Sequence, residues 1–142
     1  MAATPIDILL VEDNPGDKFL IDHMLDHCFL QYTLHWVENG SAAIEFLRKR
    51  HTYQAAPSPH LILLDLNLPI LKGTEVLANI KADPNLQQIP VVVMSTSNAP
   101  EDIEESYRLN ADYYVTKPSG LTELNEKAKD IKNFWRNWLE KT

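Results

Sequence analysis

The sequence predicts a doubly wound α/β fold, a five-stranded parallel sheet with five helices and an extended C-terminal helix. Five short apolar runs recur along the chain with helical segments between them, as expected for parallel βαβ units. Three of these runs are almost continuously apolar, which is typical of strands covered on both faces. The 142 residues suffice for a self-sufficient core, so we expect one domain over residues 1–142.

The individual elements follow from the spacing of apolar residues and from the residues that begin or end helices. Strands are predicted at Ile6–Val11, Tyr32–Val37, Leu61–Leu64, Val91–Met94 and Tyr113–Val115. The first helix is predicted to start at Pro15, and the second to carry Ala42–Leu47. The third is predicted to carry Val76–Ile80 and to end before Pro84. The fourth is predicted to run from Pro100 to Leu109, and the fifth from Leu121 to Glu140.

The last predicted helix is longer than the sheet requires. It would span about 30 Å, whereas a strand of five or six residues spans about 17 to 20 Å. We therefore expect its end to overhang the sheet, with Phe134, Trp135 and Trp138 on the overhang. Helical spacing places Trp135 and Trp138 toward the core, and it places Phe134 off that side, where contact with a partner is favoured.

The composition excludes several classes of partner and location. The net charge of −7 disfavours nucleic acid and anionic lipid, since both would be repelled. Cys28 is the only cysteine, so an intrachain disulfide is excluded. No early apolar run is long enough for a signal peptide or a membrane span. We expect a soluble, cytoplasmic protein that binds neither nucleic acid nor membrane.

Chemically active residues follow four of the five predicted strands. In open α/β sheets, ligands bind beyond the carboxyl ends of the strands. The ends of strands one, three, four and five carry Glu12-Asp13, Asp65, Ser95 and Lys117. Each has an ordinary explanation by itself, such as capping of a helix or solvation of a turn. Their conjunction predicts a functional site.

The charges at this site predict a cofactor. The three carboxylates of Glu12, Asp13 and Asp65 against the one ammonium of Lys117 leave a formal charge of −2. Clustered carboxylates have raised pKa values unless a cation joins them. One Mg²⁺ brings the sum to zero, and oxygen ligands suit this ion. Asp65 could then attack a phosphoryl group to form an aspartyl phosphate, while the Ser95 hydroxyl holds a phosphoryl oxygen.

Four stretches of the sequence resemble the receiver domain of two-component response regulators, and the resemblance covers essentially the whole chain. They are ILLVEDN at 8–14, LILLDLNLP at 61–69 followed by Gly73, VVVMST at 91–96, and YYVTKP at 113–118. The segment NPGD at 14–17, the loop at 51–60 and the long last helix resemble stand-alone regulators that pair with phytochrome histidine kinases.

The resemblance implies a role for most residues of the site. Asp65 would accept phosphate from a histidine of a sensor kinase. The protein would be a signalling domain and not an enzyme, with only self-catalysed phosphotransfer and slow autodephosphorylation. Asp13 and Asp65 would bind Mg²⁺ directly, Glu12 through water, and Asn67 through its backbone carbonyl. Ser95 and Tyr114 would be the switch residues.

Two further expectations concern the surroundings of Asp65. The resemblance implies a cis bond between Lys117 and Pro118. Asn67 and Ser97, two residues after Asp65 and Ser95, are expected to flank the path of the attacking water and so to tune the lifetime of the phosphoryl group. Neither is a strong base, so we expect a long lifetime.

The output is expected to be an interaction. Because no further domain follows in the sequence, we expect phosphorylation to alter the face built from the fourth helix, the fifth strand and the fifth helix. We expect a homodimer through this face, with Phe134 and Trp138 in the contact surface.

Two alternatives are compatible with part of the pattern. A Mg²⁺-dependent phosphatase of the haloacid-dehalogenase type also forms an aspartyl phosphate, but such enzymes usually carry a second aspartate as general acid where this chain has Asn67. A flavodoxin-type binding module is disfavoured because Glu12 and Asp13 would repel phosphate from the first loop.

Overall fold

The computed structural model describes residues 5–29 and 31–141, so the predicted domain bounds at 1 and 142 lie outside the described residues. Strands and helices alternate along this part of the chain. The strands are β1 Ile6–Val11, β2 Tyr32–Val37, β3 Leu61–Asp65, β4 Val91–Ser95 and β5 Tyr113–Thr116. The α-helices are α1 Pro15–Asp26, α2 Gly40–Leu47, α3 Gly73–Ala82, α4 Pro100–Arg108 and α5 Leu121–Lys141, with a short 3₁₀ turn at His51–Tyr53.

The five strands form one parallel sheet in the order β2-β1-β3-β4-β5. The order reverses direction at β1, which lies between β2 and β3. Ligands of doubly wound sheets bind at such a switch point, beyond the carboxyl ends of the strands. The topology therefore brings the residue pair after β1 next to the last residue of β3.

Apolar layers cover both faces of the sheet. On one face, alternate residues of the strands pack against α2 and α3, with Leu9, Ile62 and Leu77 fully buried among them. On the other face, Ile8 and Leu63 belong to the layer that packs against α1 and α5. Every residue of β3 and β4 is buried. The continuous apolar runs of the sequence are thus explained by helices on both sides.

The predicted elements are confirmed, with small differences at their ends. Strands β3, β4 and β5 each continue one residue beyond the apolar run, into Asp65, Ser95 and Thr116. Backbone pairing with the neighbouring strand continues there, which an apolar pattern does not reveal. Among the described residues, no helix is both long and apolar enough to cross a membrane.

The end of α5 folds back on the domain in part. The ring of Phe134 stacks on Tyr113 of β5, with 5.3 Å between the ring centroids. Trp135 meets Phe29 edge-on at 6.2 Å, and Trp138 stacks on Phe134 at 6.1 Å. Phe134 therefore packs against the sheet, contrary to the expectation that it points away. Trp138, expected on the core side, is half-buried through its contact with Phe134.

The expectation of a cis bond before Pro118 is wrong, because the structure contains no cis peptide among its described residues. The trans form is the lower-energy isomer of a bond that precedes proline. The Lys117 amide donates a hydrogen bond to the Ser95 carbonyl at 2.8 Å, which continues the β4–β5 pairing past the end of β5. With this backbone path the Lys117 side chain reaches the site through a trans bond.

Gly73, the first residue of α3, lies directly against the end of β3. Its amide donates to the Leu66 carbonyl at 3.1 Å. A Cβ at this position would collide with the carbonyl oxygen of Asp65 and with the Leu66 Cα. Only glycine allows α3 to start so close to the strand end that carries Asp65.

We expect Gly73→Ala to lower the free energy of unfolding by about 2 kcal/mol, because the added methyl group overpacks against backbone that has no room to move. Gly120→Ala is the matched control, since a Cβ there meets nothing within 4 Å, and it should change stability by no more than about 0.5 kcal/mol. Urea unfolding measures both. Equal effects of the two substitutions would contradict the packing argument.

Candidate phosphoryl-transfer site

The end of β1 turns sharply into α1 and buries Glu12. The Glu12 amide donates to Val37 of β2, and its carbonyl accepts from the Trp36 indole nitrogen at 2.7 Å. Its Oε1 accepts from the Asn14 amide at 3.1 Å. Asn14 then caps α1 by accepting from the Asp17 amide at 3.0 Å. The capping explanation considered from sequence is correct for Asn14, but Glu12 is fully buried and faces the site.

Asp65 is the last residue of β3 and is 4% exposed. Its Oδ1 accepts a hydrogen bond from the Asn67 amide at 3.3 Å, which orients the carboxylate across the turn that follows the strand. Its Oδ2 faces the Lys117 ammonium at 3.5 Å. Burial leaves this carboxylate with few routes to water, so its charge depends on these neighbours.

Lys117 brings its ammonium among three carboxylates. The Nζ atom lies 2.6 Å from Glu12 Oε2, 3.0 Å from Asp17 Oδ2 and 3.5 Å from Asp65 Oδ2. The lysine side chain is 6% exposed. A single cation after β5 thus links the ends of β1 and β3 with the first turn of α1.

Glu12, Asp13 and Asp65 form an acidic cluster that could hold a divalent cation. Each offers a carboxylate oxygen, and these oxygens lie within 4.8 Å of one another. Oε2 of Glu12 is buried and accepts no well-directed hydrogen bond from the described residues, although Lys117 is close. An all-oxygen donor set with one buried, under-satisfied carboxylate fits a hard cation.

The titration behaviour reflects burial and crowding. Burial, together with the nearby Asp65 charge, raises the pKa of Glu12 to about 7, despite the opposing effect of Lys117. Burial also raises the pKa of Asp65, against the influence of Lys117 and the Asn67 amide. Burial lowers the pKa of Lys117, but the nearby carboxylates of Glu12, Asp17 and Asp65 outweigh this effect, so the pKa is raised. The lysine therefore stays charged while the carboxylates compete for it.

Ser95 and Tyr114 are connected through Ser97. Ser95 is buried at the end of β4, and its Oγ accepts from the Ser97 amide at 3.1 Å. Tyr114 is 9% exposed, and its hydroxyl donates to the Ser97 carbonyl at 2.7 Å. Ser97 Oγ donates to Asp102 of α4 at 2.5 Å. A displacement of Ser95 would therefore reach α4 and β5 through one residue.

Asn67 and Ser97, expected to flank the path of the attacking water, line one cavity. This cavity has a volume of about 630 Å³ and lies between the loop after β3 and the loop after β4. Ser95 lines it as well. The structure thus brings these three residues to one cavity, and the Asn67 amide bonds to Asp65, while their influence on phosphoryl lifetime stays a prediction.

The sequence interpretation missed two contacts of the site. Asp17, which was not among the predicted site residues, accepts a hydrogen bond from Lys117. Near the end of β2, the one strand after which no site residue was predicted, the Trp36 indole donates a hydrogen bond to the Glu12 carbonyl. The adjacency of Asn14, Pro15 and Asp17 was a signal for the first contact. Nothing in the sequence indicates the second, because it depends on the register of β1 against β2.

Comparison with known proteins places this geometry in context. The family described as "Response regulator receiver domain" matches residues 8–129. Response regulator Rcp1 of Synechocystis sp. is 43% identical over 131 residues, which cover 92% of this chain and 89% of the relative. The phosphorylated cyanobacterial phytochrome response regulator RcpA superimposes with a TM-score of 0.86 at 44% identity, covering 94% of this chain and 95% of the other. A Mn²⁺-bound form of Rcp1 superimposes with a TM-score of 0.84 at 43% identity, covering 92% and 94%.

The raised pKa of Glu12 predicts a pH dependence of the metal-free protein. The pKa of Glu12 is about 7 in the folded state, whereas the ordinary pKa of a glutamate is 4.5. The folded state therefore binds a proton at Glu12 more tightly than the unfolded chain does. The free energy of unfolding should therefore fall as pH rises through this interval, by about 2 kcal/mol from Glu12.

Urea unfolding with a chelator at pH 5 and 7.5 measures this effect. Glu12→Gln should flatten the decline, since the amide does not titrate, whereas Glu101→Gln on the exposed side of α4 should leave it unchanged. A decline of the same size in Glu12→Gln as in wild type would show that Glu12 is not its source.

Proposed function

The chain belongs to the response regulator receiver family, and from this premise we propose that Asp65 accepts the phosphoryl group from a phosphohistidine of a sensor kinase. The single observation that carries the proposal is the environment of Asp65. It is a buried carboxylate at the sheet switch point, 3.5 Å from the Lys117 ammonium and within the acidic cluster of Glu12 and Asp13. The haloacid-dehalogenase alternative has no support among the relatives described above.

We propose Mg²⁺ as the cation of the acidic cluster. Glu12, Asp13 and Asp65 offer carboxylate oxygens, and Asn67, two residues after Asp65, offers a backbone carbonyl. Mg²⁺ accepts oxygen ligands of this kind together with water. The related Rcp1 binds Mn²⁺, which prefers similar oxygen ligands. When bound, the ion would supply positive charge that offsets the charge of the phosphoryl oxygens.

The chain's own residues perform the remaining steps. A carboxylate oxygen of Asp65 forms the new bond to phosphorus as the bond to the kinase histidine breaks, and the imidazole nitrogen keeps the electron pair. The Lys117 ammonium donates a hydrogen bond to a phosphoryl oxygen. The Ser95 hydroxyl, whose oxygen already accepts from Ser97, is free to direct its hydrogen to another. Neither Asn67 nor Ser97, the two residues expected to flank the path of the attacking water, is a strong general base, which favours slow hydrolysis.

The switch follows from the connection through Ser97. Attraction of the Ser95 hydroxyl to the phosphoryl group moves the segment that carries Ser97. Ser97 holds both Asp102 of α4 and the Tyr114 hydroxyl, so both partners must adjust. Tyr114 is 9% exposed, so we expect the change to rearrange its hydrogen bond to Ser97.

We infer a phytochrome histidine kinase as the donor. The support is the similarity to the cyanobacterial phytochrome response regulator RcpA, which is 44% identical and covers 94% of this chain. The sequence features that resemble this group, the 14–17 segment and the long α5, are part of the structure as an α1 cap and a 21-residue helix.

The central expectation is phosphotransfer to Asp65. Label from a phosphorylated histidine kinase, or from acetyl phosphate, should enter the wild type in the presence of Mg²⁺ and should be absent from Asp65→Asn, because the amide is not a nucleophile. Removal of Mg²⁺ should lower the rate in the wild type by at least about tenfold. Acid and alkali lability of the label and intact mass measure the product.

Asp112→Asn serves as the control for the loss of a carboxylate elsewhere, since Asp112 pairs with Lys81 far from the site. It should accept label as the wild type does. Equal labelling of wild type and Asp65→Asn would overturn the proposal, and steady turnover of a phosphomonoester that requires Asp65 would restore the phosphatase alternative.

We further propose a homodimer through the face of α4, β5 and α5. The rings of Tyr113, Phe134 and Trp138 form a continuous stack along this face. Both Phe134 and Trp138 retain partly exposed surface, and both line a cavity of about 270 Å³ beside the stack. Tyr107 of α4 is 44% exposed on the neighbouring helix. Partly exposed, preorganised aromatic rings are typical of residues that carry binding energy at interfaces.

Trp138→Ala should weaken this dimer by at least about tenfold, because it removes the ring at the end of the stack. Phe19→Ala is the matched control, since Phe19 is 64% exposed on α1, outside this face, and should leave association unchanged. Sedimentation velocity over a wide concentration range, with and without phosphorylation, measures the effect. Wild-type protein that stays monomeric in both states would exclude the dimer.

A further inference from the structure

Asp17 occupies a position between the α1 cap and the buried lysine. Its Oδ2 accepts a hydrogen bond from Lys117 Nζ at 3.0 Å, across 100 residues of sequence. The lysine is therefore closer to Asp17 and Glu12 than to Asp65, which lies 3.5 Å away. The ammonium thus lies nearest to carboxylates other than the one proposed to react.

The backbone holds Asp17 in this place. Pro15 begins α1 with a fixed φ, and the Asn14 side chain accepts from the Asp17 amide at 3.0 Å. Asp17 thus projects from the first turn of a helix whose start is tied to the end of β1. Its side chain is 31% exposed, unlike the buried Glu12 and Asp65.

A count of hydrogen bonds separates the roles of the three carboxylates. An ammonium has three hydrogens, and here three carboxylates compete for them. A phosphoryl oxygen on Asp65 requires one. Asp65 is the nucleophile and Glu12 belongs to the acidic cluster, whereas Asp17 is outside that cluster and is open to water. Asp17 is the carboxylate that can release the lysine at the lowest cost, because water can replace the lost hydrogen bond.

The charge of the site changes when Asp17 is included. Glu12, Asp13, Asp17 and Asp65 against Lys117 give four negative charges and one positive charge, a formal sum of −3. A divalent cation then leaves −1 rather than zero. A dianionic phosphoryl group would enter a site that is more negative than the sequence indicated, and it would compete with Asp17 for the same ammonium.

We propose that Asp17 is a positioning residue that draws Lys117 away from Asp65 and weakens the hold of the site on a phosphoryl group. The proposal rests on the phosphoacceptor function of Asp65. An ordinary ion pair at a helix start would affect stability alone, by less than about 1 kcal/mol. A positioning role predicts in addition that loss of the carboxylate strengthens binding of a phosphoryl mimic.

Binding of beryllofluoride in saturating Mg²⁺ tests this role, with tryptophan fluorescence as the readout because Trp36 contacts Glu12. Asp17→Asn should bind about three- to tenfold more tightly than the wild type, since the amide competes weakly for the ammonium. Asp17→Glu restores a carboxylate and should return the affinity toward the wild-type value. Glu104→Gln, an exposed carboxylate on α4, controls for net charge and should show no change.

Urea unfolding of each variant confirms that it is folded, and Asp17→Ala provides a second removal of the carboxylate if Asp17→Asn is destabilised. Equal or weaker binding by folded Asp17→Asn and Asp17→Ala would overturn the role of Asp17. A wild-type protein that does not bind beryllofluoride would instead overturn the function of Asp65, so the two failures are distinguishable.

Discussion

The buried ammonium of Lys117 is the interaction on which the site depends. Burial of the neighbouring Glu12 and Asp65 carboxylates would be unfavourable without a cation beside them, because each loses its hydration. Lys117 lies within 3.5 Å of an oxygen of Glu12, Asp17 and Asp65. It thereby holds the ends of β1 and β3 and the start of α1 in one arrangement. The pKa values of Glu12 and Asp65 are nevertheless raised, because the effect of burial exceeds the opposing effect of Lys117.

The incomplete neutralisation of these carboxylates favours both uptake of a cation and reaction at Asp65. A cluster that is fully neutralised would have no reason to take up a cation, and a carboxylate with a full set of partners would be a poor nucleophile. The acidic cluster is left in need of positive charge, while Asp65 has one directed amide and one distant ammonium. The fold supplies this incomplete state through rigid strand ends and through a helix that starts against Asp65 at Gly73.

The route from the site to the surface is short. Ser95 and Ser97 are two residues apart, and Ser97 contacts both α4 and Tyr114 of β5. The same strand carries Tyr113, on which Phe134 of α5 stacks. Tyr114 of β5 thus contacts Ser97 on one face of the sheet, and its neighbour Tyr113 contacts the aromatic stack on the other. A change at Asp65 can thus reach the α4–β5–α5 face through Ser95, Ser97 and the buried Tyr114.

The sequence by itself determined the order of the elements, the chemical residues at the strand ends and the family. These features depend on local patterns, namely apolar runs, helix starts and short motifs, which can be recognised from residues close together in the sequence. The tertiary structure alone decided the trans bond before Pro118, the packing of Phe134 on Tyr113, and the contacts of Asp17 and Trp36. Each depends on strand register or on the reach of a side chain across 20 to 100 residues of sequence, and such distances leave no periodic trace in the chain.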